Sequence, residues 1–150
     1  MNTVFIADDE LIIRQGIKCI IDWEQLGFEI IGEASNGEDA LNFILNKHPD
    51  LVLMDIRMPK MLGLDVVEAA RNKGFNGKVI ILSGYTDFKY AQAAIKNGVD
   101  YYLTKPIDED ELYETVDSIR SQISKEAEDK ETLSRSEERR VGKECRSRWS

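Results

Sequence analysis

Several of the usual chemical tools are scarce in this chain: among 150 residues there are two cysteines, one histidine and three prolines. Cys19 falls in an apolar helical pattern and Cys145 near the end, which offers neither a disulfide framework nor a thiolate metal site, so both read as free thiols. The single histidine, His48, precedes Pro49 in a loop before a strand and reads as a surface turn rather than a base. Basic residues are also short, 20 against 28 acidic ones for a net charge of −8. That deficit argues against this chain gripping a nucleic-acid backbone, since such affinity rests on Lys and Arg, and it points to cations instead. Long apolar runs are missing, with 51–54 and 79–82 far below the roughly 18 residues of a membrane span. The opening MNTVFIADDE lacks the basic start of a secretory leader. The expectation is a cytoplasmic protein without a membrane partner.

What is present is a globular balance, 42% hydrophobic and 32% charged, which excludes collagen-like, mucin-like and wholly disordered chains. The length suits one core. Short β-branched runs at 3–7, 29–34, 51–55, 78–83 and 99–103 read as strands. Between them Ile13, Ile17, Ile20 and Ile21 share a helical face, as do Ala40, Leu41, Ile44 and Leu45, then Val66, Val67 and Ala70, then Ala91, Ala94 and Ile95. A last helix shows Leu112, Val116, Ile119 and Ile123. Ser35 with Glu38, and Asp108 with Glu111, read as capping pairs. Five βα units with short loops predict an α/β fold, an open doubly wound five-stranded parallel sheet with helices on both faces.

Beyond Ser124 the character changes. Residues 124–134 are charged, with too few apolar positions to bury, and read as a linker helix extending the last one. Residues 135–150, RSEERRVGKECRSRWS, hold six of the 20 basic residues and three of the 28 acidic ones. This stretch resembles the in-frame translation of a short-read sequencing adapter, so it reads as non-native and stays outside the fold reasoning; the natural chain is then expected to continue past Ser134. The alternative is a natural basic tail that touches nucleic acid.

In doubly wound sheets ligands sit beyond the carboxyl ends of the strands. Those positions hold Asp8 and Asp9 after the first strand, Asp55 ending the third, Ser83 ending the fourth and Lys105 after the fifth. Singly each is weak, because acids cap helices and a loop lysine is usually solvated. Together they make a site. Carboxylates gathered at one rim raise one another's pKa unless a cation lies between them, and all-oxygen ligands suit Mg²⁺ or Mn²⁺ rather than Zn²⁺. Mg²⁺ in turn favours a phosphate oxygen as co-ligand. Lys105 and the Ser83 hydroxyl then face phosphoryl oxygens, and Asp55 is the natural nucleophile.

These residues resemble the receiver domain of two-component response regulators, through DDE at 8–10, MDIRMPKMLGLD at 54–65, SGY at 83–85 and YYLTKP at 101–106. The resemblance covers about residues 2–123 and implies a receiver domain over 1–123 with a flavodoxin-like sheet of order 2-1-3-4-5. It implies that Asp55 accepts a phosphoryl group from a sensor histidine kinase. Asp9 would bind Mg²⁺ directly, Asp8 would assist through water, and the Arg57 backbone carbonyl would complete the protein ligands. It also implies a cis peptide bond before Pro106, although Pro106 could simply close the strand. Pro59 and Gly63 would frame the acceptor or be plain turn residues. Ser83 and Tyr102 look like the family's switch pair; on the residues alone Tyr102 reads as a packed tyrosine, with Tyr101 equally eligible. The implied outcome is a homodimer on phosphorylation, through the predicted fourth and last helices.

Trp23, Leu26 and Phe28 read as a packing patch, and WEQLGF resembles receivers attached to AraC-family, YesN-like transcriptional regulators. DNA would then be bound only through an output domain absent from this chain; the alternative is a stand-alone receiver that acts by protein–protein contact. Two enzyme-like readings fit less well. Aspartyl-nucleophile phosphatases place a second Asp two positions after the nucleophile, where this chain has Arg57, so turnover of small phosphoesters is not expected. A flavin or nucleotide binder of the same sheet type needs a Gly or Ser loop after the first strand, and Asp8-Asp9-Glu10 repels phosphate there.

Overall fold

Alternating β-branched runs and amphipathic stretches build an alternating structure. The computed structural model describes residues 2–84 and 99–130. In chain order these form β1 (Asn2–Ala7), α1 (Leu11–Ile20), β2 (Phe28–Ala34), α2 (Gly37–Lys47), β3 (Leu51–Asp55), α3 (Gly63–Asn72), β4 (Lys78–Ser83), β5 (Tyr101–Thr104) and α4 (Glu109–Lys130). The helix expected around Ala91, Ala94 and Ile95 and the tail at 135–150 lie outside the described residues. Among the described residues no helix is long and apolar enough to cross a membrane.

All strand pairs are parallel, in the order β2-β1-β3-β4-β5. Helices cover both faces, because parallel neighbours need a crossover and each crossover helix buries its apolar stripe on the sheet. Period-two alternation along β1 splits its side chains between the two layers. Phe5 joins Val52, Met54 and Ile81 under α2 and α3, through Ala40, Ile44, Val66 and Val67. Val4 and Ile6 join Leu53 and Ile80 under α1 and α4, through Ile17, Leu112, Val116 and Ile119. β3, central and buried at every position, accordingly carries the uninterrupted apolar run VLM. Trp23, Leu26 and Phe28 belong to the second layer, and the Trp23 indole donates to the Ile17 carbonyl at 2.9 Å. His48 takes a left-handed conformation (φ 47°) at the end of α2.

Two local expectations need correction. The cap of α2 is Asn36, whose side chain accepts from the Asp39 amide at 2.8 Å, and not Ser35. Asn caps as well as Ser, and a start at Gly37 lets the first turn lie against the Met61 carbonyl, where a Cβ would come within 2.1 Å. The last strand begins at Tyr101 rather than at Val99. Asp100 instead uses its carboxylate to accept from the Val79 amide at 2.8 Å, before the regular ladder starts. At the start of α4, Asp108 does accept from the Glu111 amide, at 3.0 Å.

Register levels the carboxyl ends of the strands. Ala7 pairs with Met54, Asp55 with Leu82, and Ser83 with Thr104. The residues at or just beyond these positions, Asp8, Asp55, Ser83 and Lys105, therefore meet at one rim.

Candidate functional site

Asp8 leaves β1 fully buried and fixed from several sides. Its amide donates to the Ala34 carbonyl at 3.0 Å. Its Oδ1 accepts from the Glu10 amide at 2.9 Å, and its Oδ2 accepts from Lys105 Nζ at 2.9 Å. Lys105 Nζ also lies 3.4 Å from Asp55 Oδ2, so one ammonium serves two buried carboxylates. The lysine reaches them because the β4–β5 ladder continues past the strand, with its amide donating to the Ser83 carbonyl at 2.7 Å. The Lys105–Pro106 peptide bond is cis.

One lysine between two acids leaves negative charge uncompensated. Burial first, and the neighbouring Asp8 second, push the Asp55 carboxyl up to about 7, against weaker opposing pulls from Lys105 and the Arg57 backbone. Burial disfavours the Lys105 ammonium, yet Asp8 and Asp55 outweigh it and hold its pKa above the ordinary lysine value. A buried acid with a raised pKa beside a second acid is an arrangement that an added cation relieves.

The acidic run supplies the donors for that cation. Oxygens of Asp8, Asp9 and Glu10 lie within 4.8 Å of one another, Asp8 buried and the other two exposed. An all-oxygen donor set without His or Cys fits a hard divalent ion, and Asp55 borders it across Lys105. The sequence reading placed Glu10 in the acidic motif without assigning it as a metal donor; its place at the end of the acidic run was the available signal. Arg57 sits exposed two residues past Asp55, and its backbone hydrogen bond bears on the Asp55 carboxylate.

Ser83 is fully buried, and its hydroxyl lies 2.7 Å from Tyr102 Oη. Tyr101, its neighbour on β5, points to the other layer and accepts from Gln122 Nε2 of α4 at 2.9 Å. The loop after Asp55 is packed tightly. Gly63 opens α3 against the Asp55 carbonyl, where a Cβ would fall 2.2 Å away, and its amide donates to the Ile56 carbonyl at 2.8 Å. Pro59 accepts from the Gly37 amide at 3.1 Å, tying the same loop to α2.

With this geometry in view, the comparisons with known proteins agree with one another. The family model described as the response regulator receiver domain matches residues 4–117. The uncharacterized transcriptional regulatory protein YesN of Bacillus subtilis is 37% identical over 126 residues, which cover 84% of this chain and 34% of that protein. The transcriptional regulatory protein HptR of Staphylococcus aureus is 45% identical over 112 residues, 75% of this chain and 44% of that protein. The chain thus spans less than half the length of these relatives. The solved receiver domain of AraT, a response regulator from Geobacillus stearothermophilus, superposes with a TM-score of 0.80 at 42% identity, covering 84% of this chain and 98% of that one.

Proposed function

The chain belongs to the response regulator receiver domain family, and from that premise we propose that Asp55 accepts a phosphoryl group from the phosphohistidine of a sensor histidine kinase. The observation that carries this reading is the sharing of Lys105 by Asp8 and Asp55, at 2.9 and 3.4 Å. An Asp55 Oδ attacks phosphorus in line as the bond from phosphorus to the imidazole nitrogen breaks, and the nitrogen leaves with the electron pair. No base is needed, because the attacking carboxylate has no proton to lose when ionised. Lys105 offers its charge to the transferring oxygens, so the protein's share of the chemistry is positioning and neutralisation. Asp8, Asp9, Asp55 and the Arg57 carbonyl would hold Mg²⁺ or Mn²⁺, whose charge would keep Asp55 ionised and offset that of the phosphoryl oxygens. The chain is thus a phosphoacceptor switch rather than a turnover enzyme.

The readout begins at Ser83. A Ser83 proton turned to a phosphoryl oxygen is no longer given to Tyr102, so modification weakens the 2.7 Å contact unless the phenol donates in its place. Release of that contact biases a two-state equilibrium by no more than the differential affinity of the two states for the anion. The relatives' names support a transcriptional role; in this reading it is exerted through a DNA-binding output domain outside this chain, with homodimerisation on phosphorylation as the step between. Residues 1–123 are then the receiver and 124–134 the linker, of which 131–134 lie outside the described residues.

The test is incubation with Mg²⁺ and acetyl phosphate followed by intact mass. The expected result is a single phosphoryl adduct, absent from Asp55→Asn and absent after chelation. An adduct on the Asp55→Asn protein would reassign the acceptor.

A further inference from the structure

Arg14, on the first turns of α1, is directed away from solvent and toward the loop that carries Asp8, Asp9 and Glu10. Its side chain is only 13% exposed, and its Nη1 donates to the Asp8 backbone carbonyl at 2.6 Å. Its Nε donates to Glu33 Oε1 at 2.7 Å, and Lys18 pairs with the other Glu33 oxygen. Lys18 first, and Arg14 second, hold the Glu33 carboxyl below the usual carboxylate range. Glu33 in turn sits on β2 opposite Ile6, one pair before Ala34, whose carbonyl receives the Asp8 amide. The acidic loop is therefore gripped on both sides of one residue, by the β2 backbone at the Asp8 amide and by Arg14 at the Asp8 carbonyl.

Resting on the cation reading above, we propose that Arg14 is a positioning residue for the acidic loop, aimed by Glu33, and that this buttress sets the affinity of the site for a divalent ion. The peptide unit joining Asp8 to Asp9 is the hinge about which the two carboxylates converge. Arg14 holds its oxygen, and with that oxygen free the unit rotates and the donor set is no longer preorganised. The guanidinium charge acts in the opposite sense, since a positive group near a cation site weakens binding. Glu33, which it shares with Lys18, offsets part of that charge, and the solvent that reaches the pair screens some of the remainder. Positioning is therefore the larger effect, and the two effects differ in sign.

That difference makes the inference testable by Mn²⁺ titration calorimetry on the whole chain, with the metal-free melting temperature as the check on folding. Arg14→Gln is expected to bind Mn²⁺ about tenfold more weakly, as loss of an outer-shell partner typically does. Arg14→Lys keeps the charge but cannot bridge Asp8 and Glu33 with a planar fork, so it too is expected to bind more weakly than wild type. Lys18→Gln removes a charge paired with the same Glu33 without touching Asp8, and stays within about twofold. Unchanged or tighter Mn²⁺ binding by Arg14→Gln, or wild-type affinity in Arg14→Lys should the first variant fail to fold, overturns the proposal. Absence of saturable Mn²⁺ binding by the wild-type chain overturns instead the cation reading beneath it.

Discussion

At the amino end of the sheet, Asp50 accepts from the Thr3 amide at 2.8 Å and the Thr3 hydroxyl at 3.2 Å. Asp100 there accepts from the Val79 amide at 2.8 Å and from Arg71 at 3.4 Å. At the carboxyl end, Asp8 and Asp55 divide a single lysine between them. The residue type and the setting at a strand end are the same, but Asp8 and Asp55 are buried and share one cation, whereas Asp50 is half-buried and Asp100 exposed. An aspartate that stays in reach of water and gives its carboxylate to a strand-end amide serves the fold, closing a ladder that water would otherwise satisfy. A buried aspartate that must share a cation with another acid is held away from its preferred protonation state, and that disequilibrium is what a metal ion and a phosphoryl group can exploit.

The comparison breaks most visibly at Asp55. Asp55→Asn is expected to abolish phosphoryl uptake from acetyl phosphate, whereas Asp50→Asn and Asp100→Asn leave it intact, by intact mass under identical conditions. Uptake lost equally at either end would erase the distinction. Next in size, Lys105→Gln removes the shared cation and is expected to slow uptake by about a hundredfold, the usual scale for losing one electrostatic stabiliser of a transferring group. A time course at fixed donor concentration measures it.

Stability should respond in the reverse order. Asp50→Ala leaves the Thr3 amide without its acceptor and should lower unfolding free energy by about 1–3 kcal/mol in urea titrations, with uptake by the folded fraction unchanged. The remaining effect is one of pH, in metal-free protein. Between the unfolded carboxylate value of about 3.9 and the folded value near 7, folded Asp55 keeps a proton that the unfolded chain has lost. Stability therefore falls as pH rises through that window, and the penalty is complete above it. Asp55→Asn removes the penalty, so its melting temperature relative to wild type should be higher at pH 8 than at pH 5 in the presence of chelator.

Much of this was legible in the chain because strand and helix periods differ. The runs at 51–55 and 78–83 coincide with β3 and β4, and buried parallel strands leave an unmistakable apolar block. Boundaries decided by equal chemistries were not legible: Ser35 and Asn36 are comparable caps, and only the fit of Gly37 against Met61 selects between them. Tyr101 and Tyr102 were interchangeable on residue type. The β4–β5 register sends Tyr102 to Ser83 and Tyr101 to Gln122, a choice that depends on which face a pleat presents. Arg14 was hidden for a related reason, because its contacts with Asp8 and Glu33 exist only once β2 lies beside β1. The strand-end acids could be found by position, but how many donors each receives could not.

The Asp55 carboxyl titration, followed by carbon-13 NMR of the labelled side chain with and without Mg²⁺, tests the effect of burial and a shared cation at its source. A midpoint near 7 in metal-free protein, falling well below that when Mg²⁺ is added, is the predicted result. A midpoint in the ordinary carboxylate range without metal, or one that Mg²⁺ does not move, would contradict it.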